Sequence, residues 1–258
     1  MNRRSFLKTV PAATVLAAAT TGLAQKAAAP PTSTGEAAFA TAAPPAAPVQ
    51  PTASTGLQPI ILPKPETDGG KSVLAALKER RTIRNIKPDA LSPQVLSNLL
   101  WAAFGVNREN GVRGRPGRTA ASASNSQEID LYVALPEGVY LYEAILPRLV
   151  PVVAGDLRAK VGRGRAGGAK VPVRLIFVAD LARFAEAPFQ EPGLKDPEIQ
   201  KSYYNVATGL IASNVYLFAA SQGLAAWFHN CDKAGLAAEL KLRPDQRVLY
   251  GQTVGYPA

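Results

Sequence analysis

Residues 129–142 read IDLYVALPEGVYLY, and this stretch decides the fold class. Ile129 to Leu135 is an apolar run that includes a β-branched residue, Pro136-Glu137-Gly138 supplies turn-forming residues, and Val139 to Tyr142 is a second run of strand-forming residues. Two such runs joined by a short turn are typical of antiparallel strands. The sequence therefore predicts a β-hairpin in the middle of the chain.

The segments on either side of the hairpin mix helices and strands in no regular alternation. Two helices are predicted before it, Ser72 to Arg80 and Ser92 to Ala103, and the second begins with a Ser N-cap followed by Pro in its first turn. After the hairpin come the strand Val171 to Ala179, the long helix Tyr203 to Gln222, the short run Leu224 to Phe228, a helix from Asp232 to Leu242 and a strand Val248 to Val254. Because βαβ units are absent from this pattern, it indicates an α+β domain rather than a doubly wound α/β domain.

The first 56 residues do not resemble part of a folded core. Arg3 and Arg4 precede the weakly apolar stretch Thr9 to Ala24, which is typical of a twin-arginine export signal. Residues 25–56 are rich in Ala, Pro and Thr and predict a disordered leader. We therefore expect a signal peptide at 1–24, a folded domain at 57–258, export to the periplasm, and no transmembrane anchor.

Composition excludes several classes of function. The chain has one cysteine, Cys231, and one histidine, His229, so it can form no intramolecular disulfide and is not expected to bind a metal. The sequence has no Gly-rich fingerprint between a strand and a helix of the kind that cradles a dinucleotide, and no P-loop, which disfavours nicotinamide-binding and triphosphate-binding folds. From Leu57 onward the chain has 25 basic and 18 acidic residues. This excess of positive charge suits an anionic ligand.

Two short basic loops raise the alternative of nucleic-acid binding. Arg113 to Pro116 has the core of an AT-hook, and Arg163 to Lys170 forms a second loop rich in Gly and basic residues. Export would separate the protein from DNA, and the pattern offers neither a recognition helix nor an aromatic stacking platform. We therefore expect no nucleic-acid partner and assign the charge to attraction of anionic ligands or surfaces.

Two segments carry side chains that suit a flat, anionic ligand. Arg80, Arg81, Thr82 and Arg84 lie within five residues at the end of a predicted helix, and guanidinium groups can hold a phosphate bidentately. Residues 118–127, RTAASASNSQ, are mostly small and polar and lie directly before the hairpin. Each segment also has an ordinary interpretation, the first as a solvated basic helix end and the second as a plain loop.

The order of these segments, from about Ser72 to Pro257, resembles the nitroreductase superfamily of FMN enzymes. The chain is most similar to the branch that includes the azoline-oxidising dehydrogenases of peptide-toxin biosynthesis. The resemblance implies an α+β fold in which a mixed, mainly antiparallel sheet is flanked by helices. It also implies a homodimer with two FMN molecules at the subunit interface.

The resemblance further implies which residues contact FMN. The arginine motif would meet the phosphate or the ring edge, the Ser/Asn loop would reach the flavin of the partner subunit, and the segment after Gly223 would supply backbone donors near flavin N5. Ala121 replaces the Pro that is usual in the loop, and bulky Trp227 and Phe228 replace smaller residues. The implied cofactor-binding residues are Arg80, Arg81, Thr82, Arg84, Ser122, Ala123, Ser124, Asn125, Gln127, Phe228, His229 and Asn230.

The function expected from the resemblance is two-electron transfer between a donor and a small organic acceptor that bind alternately over the flavin. His229 is the candidate proton donor, with the alternative that only its backbone N–H matters. Because nicotinamides are scarce outside the cytoplasm, we expect either another electron donor, such as a quinol, or a dehydrogenase that passes electrons to a respiratory partner, and the direction of the reaction stays open. Two alternatives stay open: a redox-inactive or flavin-modifying relative, and a basic binding module of the cell envelope that uses the fold as a scaffold.

Overall fold

A computed structural model describes residues 56–162 and 170–258 of the chain. The predicted signal peptide at 1–24 lies outside the described residues, and so does the predicted leader except for Gly56. Most of the basic loop that begins at Arg163 also lies outside them. The predictions made for these segments stay predictions.

A seven-stranded sheet forms the centre of the domain, and every neighbouring pair of its strands is antiparallel. A separate two-stranded ribbon is made of β2 (Val106–Arg108) and β3 (Gly117–Arg118). The strands of the main sheet are β1 (Ile60–Ile61), β4 (Ile129–Ala134), β5 (Gly138–Glu143), β6 (Arg148–Ala154), β7 (Val173–Asp180), β8 (Ala225–His229) and β9 (Gln246–Gly255). Their order across the sheet is β1-β6-β5-β4-β7-β9-β8.

The hairpin predicted from residues 129–142 is confirmed as β4 and β5. Tyr132 lies opposite Leu141, and Ala134 lies opposite Val139 at the turn. The sequence reading missed β6, which continues this antiparallel meander and carries Pro151 in its middle. A proline inside an apolar run argues against a strand when only the sequence is read, and a register shift between β5 and β6 accommodates it.

Helices pack on both faces of the sheet. They are α1 (Val73–Glu79), α2 (Pro93–Phe104), α3 (Arg158–Val161), α4 (Pro197–Ser221) and α5 (Lys233–Glu239). The long helix α4 starts six residues before the predicted Tyr203, because the carboxylate of Asp196 caps it and Pro197 occupies its first turn. Among the described helices, none is both long enough and apolar enough to cross a membrane.

The larger hydrophobic core lies between the sheet and the pair α2 and α4. Leu99 and Leu100 of α2 and Ile211 and Val215 of α4 are fully buried there. A smaller core on the opposite face joins α3 and α5 to the sheet through residues such as Leu236. The predicted α+β fold, a mainly antiparallel sheet flanked by helices, is therefore confirmed.

Candidate functional site at the edge of strand β8

The arginine-rich segment that follows α1 lies along the open edge of the sheet. In that sheet β8 pairs only with β9, so the backbone groups on its other side are available to a neighbour. The Ile83 N–H donates a 3.1 Å hydrogen bond to the carbonyl of Ala226 in β8. A few residues later Ile86 forms an isolated antiparallel bridge with Pro257. The segment is thus held to β8 at Ile83 and to the chain just after β9 at Ile86.

Tyr216 of α4 joins this segment to β8. Its hydroxyl oxygen accepts a 2.8 Å hydrogen bond from the Phe228 N–H and lies 3.0 Å from the Thr82 hydroxyl oxygen. The guanidinium carbon of Arg80 lies 5.5 Å from the centroid of the Tyr216 ring. Sequence reasoning did not identify this role of Tyr216. Its partner Thr82 is 134 residues away, so no local pattern signals the contact.

The three arginines of the segment keep their charge available. Arg80, Arg81 and Arg84 are exposed, and none of them forms an ion pair with any residue in the described parts of the chain. The nearest acid in the sequence, Glu79, pairs with Lys71. The cluster therefore presents uncompensated positive charge, as a phosphate site requires.

Strand β8 directs its side chains to two different faces of the sheet, as strand geometry requires. Phe228 packs into the larger core, with its ring centroid 4.9 Å from that of Tyr250 and 5.9 Å from that of Phe177. Trp227 and His229 point to the opposite face, where their rings meet edge to face at 5.1 Å. Phe228 was predicted to contact the cofactor, and only its backbone lies at the strand edge.

Protein groups engage both ring nitrogens of His229. Nδ1 lies 2.9 Å from the carbonyl oxygen of Asn230, and Nε2 lies 2.8 Å from the hydroxyl of Thr253. Because a carbonyl oxygen can only accept, Nδ1 carries the proton and Nε2 accepts from Thr253. Burial lowers the pKa of His229, so the neutral ring is favoured. Asn230 itself is exposed, and its side-chain oxygen accepts from the Cys231 N–H.

The Ser/Asn loop adopts a backbone conformation that is uncommon for non-glycine residues. Ser124, Asn125 and Gln127 have φ values of 50°, 53° and 52°. Gln127 holds the loop in this form, since its Nε2 donates to the Pro116 carbonyl at 2.7 Å and to Asn125 Oδ1 at 2.9 Å. Left-handed residues cost about 1–3 kcal/mol each and concentrate at functional sites. The loop is therefore rigid and suited to present its backbone to a ligand.

Two charged residues, Arg118 and Glu128, support the loop through hydrogen bonds. Arg118 donates from Nε to the Gln127 side-chain oxygen at 2.8 Å and lies over the Phe104 ring at 4.9 Å, and burial lowers its pKa to about 10. Glu128 is fully buried and accepts a 2.6 Å hydrogen bond from the Ser126 hydroxyl, and burial raises its pKa. Sequence reasoning missed Arg118 and Glu128, because their roles depend on burial that only the fold creates.

The structure brings two of the three predicted segments together within one chain. The arginine segment and β8 meet through Ile83, Tyr216 and the contact of Arg84 with Trp227. Among the hydrogen bonds, ion pairs and ring contacts of residues 56–162 and 170–258, none joins residues 122–127 to either segment. The loop instead packs near the segment before α4, where the Ser124 hydroxyl lies 3.4 Å from the Glu191 carboxylate.

Comparison with known proteins identifies the family. The family model described as the nitroreductase family matches residues 77–256. A Methanocaldococcus jannaschii protein described as a nitroreductase, MJ1384, is 29% identical over 157 residues, which are 57% of this chain and 73% of that protein. A crystal structure from Ralstonia eutropha JMP134, also described as a nitroreductase, is 35% identical with a TM-score of 0.70, covering 81% of this chain and 94% of that chain.

A more distant structure shows the same fold. The Escherichia coli microcin synthetase McbBCD complex with truncated pro-MccB17 has a TM-score of 0.56 at 18% identity, covering 70% of each chain. The matched family model covers both the arginine segment and β8, together with the helix that joins them. The chain therefore belongs to the nitroreductase family of oxidoreductases.

Proposed function

We propose that the protein is an exported, FMN-dependent oxidoreductase that works as a homodimer. In this proposal it transfers two electrons between a donor and a small organic acceptor, which bind alternately at one site. The observation that carries the proposal is the set of exposed arginines, Arg80, Arg81 and Arg84, which lack acidic partners in the described chain and are held to the edge of β8. Membership of the nitroreductase family supports it.

The residues at this edge fit FMN better than FAD. A cluster of guanidinium groups suits a terminal phosphate, and the sequence pattern places no Gly-rich motif between a strand and a helix, the arrangement that binds the pyrophosphate of a dinucleotide. Arg80, Arg81 and Arg84 would hold the phosphate, with β8 residues Phe228 and His229 beside it. FMN, when bound, supplies the redox chemistry by accepting a pair of electrons and passing it on.

The protein's own contribution is position and electrostatics. The arginines would neutralise the phosphate, and the backbone of residues 122–127, which Gln127 holds in shape, would orient a neighbouring group without having to be ordered on binding. We propose that this loop serves the site of the partner subunit, since it makes no described contact with Arg80–Arg84 or β8 of its own chain. Ser122, Ala123, Ser124, Asn125 and Gln127 are the loop residues assigned to this role.

We propose helix α4 as the centre of the dimer interface. Val206 and Leu210 are 62% and 43% exposed although they are large apolar residues. Gly209 lies between them and has open space where a side chain would project. An exposed apolar stripe on a long helix is better explained by a second copy than by solvent.

The chemical identities of the acceptor and of the electron donor are two further proposals. The similarity of the sequence to the azoline-oxidising branch, together with the shared fold of McbBCD, supports a thin heterocyclic or other small organic acceptor. The twin-arginine motif supports export to the periplasm, where a quinol or another respiratory partner is a better source of electrons than a nicotinamide.

Flavin analysis of the purified protein tests the proposal. We expect bound flavin absorbance, FMN and not FAD in a chromatogram of the heat-released cofactor, and bleaching of the bound flavin by a chemical reductant. Stopped-flow reduction with NADH, NADPH and a quinol in turn then identifies the donor. Flavin that resists reduction would favour the redox-inactive or flavin-modifying alternative. A protein that binds no flavin after incubation with FMN would favour a basic envelope-binding module.

A further inference from the structure

We propose that Tyr216 is a positioning residue that pre-organises the arginines for a phosphate. This inference rests on the proposed FMN site and extends it to a residue outside the family motif quoted above. Tyr216 touches both parts of the site, since its hydroxyl meets Thr82 and the Phe228 N–H while its ring lies under Arg80.

The hydroxyl of Tyr216 closes a chain of hydrogen bonds. The Phe228 N–H can only donate, so the phenolic oxygen accepts there at 2.8 Å, and a second hydrogen bond of 3.0 Å, in which either hydroxyl can donate, joins it to Thr82. Thr82 lies midway between Arg80 and Arg84. Fixing Thr82 to β8 therefore fixes the backbone from which both arginines project.

The ring of Tyr216 restrains a guanidinium group without neutralising it. A carboxylate partner would consume the charge and donors of Arg80, whereas a stacked aromatic ring leaves the in-plane N–H groups free to bind an anion. Arg84 is restrained in the same way by Trp227, at 5.3 Å from the ring centroid. Each of these two arginines therefore has an aromatic platform and no acid partner in the described chain, so each loses little side-chain entropy when it binds a phosphate.

The test compares FMN with riboflavin, because the two differ by the phosphate. Tyr216→Phe removes only the hydroxyl, Tyr216→Leu also removes the platform, and Thr82→Val removes the other end of the bridge. Tyr204→Phe makes the same chemical change twelve residues earlier on α4, where no hydrogen bond of the hydroxyl is described, and serves as the matched control. The dissociation constants of FMN and of riboflavin are measured by fluorescence titration of each apoprotein. Hydrogen exchange of the Phe228 amide is measured without flavin.

We expect Tyr216→Phe to raise the dissociation constant of FMN about three- to tenfold, as loss of one neutral hydrogen bond does, and to leave that of riboflavin unchanged. Tyr216→Leu should weaken FMN further. The Phe228 amide should exchange several-fold faster in Tyr216→Phe. The double variant Thr82→Val/Tyr216→Phe should bind FMN no more weakly than Tyr216→Phe alone. Tyr204→Phe should change none of these quantities.

Two results would overturn the inference. The first is an equal loss of FMN and riboflavin affinity in Tyr216→Phe, which would mean a general structural role. The second is FMN affinity in Tyr216→Phe and Tyr216→Leu that matches the wild type. A wild-type protein that binds neither flavin refutes the proposed cofactor instead, and the exchange rate of the Phe228 amide then still decides whether the bridge exists.

Discussion

The guanidinium carbon of Arg84 lies 5.3 Å from the centroid of the Trp227 ring. This contact explains why a bulky residue occupies β8 at a position where the family resemblance led us to expect a small one. The indole is half-buried and points away from α4, towards the face that it shares with His229. Its ring supports Arg84 at the strand edge, so the bulk of Trp227 serves the proposed phosphate site.

Replacement of Trp227 by Leu should therefore weaken FMN binding in a protein that still folds. Loss of an exposed cation–π contact is worth about 0.5–1 kcal/mol, which corresponds to a two- to fivefold rise in the FMN dissociation constant. Because the indole is only half-buried, the free energy of unfolding should fall by less than the roughly 3–5 kcal/mol typical of a fully buried aromatic residue. Fluorescence titration and urea denaturation measure the two effects. Turnover of larger acceptors by this variant would show instead that the indole limits the size of the acceptor that can bind.

Removal of both Arg80 and Arg84 should abolish tight FMN binding. Charge-assisted hydrogen bonds contribute about 1.5–3 kcal/mol each, so each arginine accounts for roughly a tenfold to hundredfold change in affinity. Titration of the Arg80→Ala/Arg84→Ala apoprotein with FMN measures the loss. Arg247→Ala removes an exposed arginine at the start of β9, beyond the part that pairs with β8, and should leave the affinity unchanged. Full flavin occupancy in the double variant would refute the assignment of these two arginines to the phosphate.

The sequence predicted those parts of the molecule that depend on local pattern. The hairpin at 129–142 and the N-cap at Ser92 follow from turn and capping residues, and the structure contains both. Tyr216 and Arg118 could not be found in this way, because each acts through partners that only the folded sheet brings close. The direction of the Trp227 side chain could not be predicted for a similar reason. Strand alternation predicts that Trp227 and Phe228 point to opposite faces of the sheet. Which of these faces holds the larger core depends on where α4 packs.

The buried carboxyl group of Glu128 should make stability depend on pH in the acidic range. Burial raises its pKa above the ordinary value of 4.5, so between that value and the higher folded value the folded state binds more protons than the unfolded chain. Stability attributable to Glu128 therefore rises as pH falls through this window. Wild type should gain stability relative to Glu128→Gln when thermal unfolding is followed from pH 7 down to pH 4.5. A difference between the two that is constant with pH would show that Glu128 titrates normally.

A charge placed on the exposed face of α4 should separate the proposed dimer. Leu210→Glu puts a carboxylate into an apolar interface, and an uncompensated buried charge costs several kcal/mol. Light scattering should then report a dimer mass for wild type and a monomer mass for the variant at micromolar concentration. Ile61→Glu alters an even more exposed apolar residue in β1, at the opposite edge of the sheet from β8, and should remain dimeric. A wild-type protein that is monomeric with FMN bound would contradict the interface.

Replacement of His229 by Asn should separate a structural histidine from a proton donor. Because burial lowers the pKa of His229 below 6.5, the folded state binds fewer protons than the unfolded chain between the folded value and 6.5. Stability attributable to His229 is therefore complete above pH 6.5 and is lost as pH falls through the folded pKa, and His229→Asn should abolish this loss. The Nδ1 proton is already donated to the Asn230 carbonyl, so we expect turnover of His229→Asn to stay within about threefold of wild type, with the same pH profile between 5.5 and 7.5. General acid catalysis is worth about 10²–10⁴-fold, so a loss of that size in a stably folded variant that retains FMN would establish His229 as the proton donor.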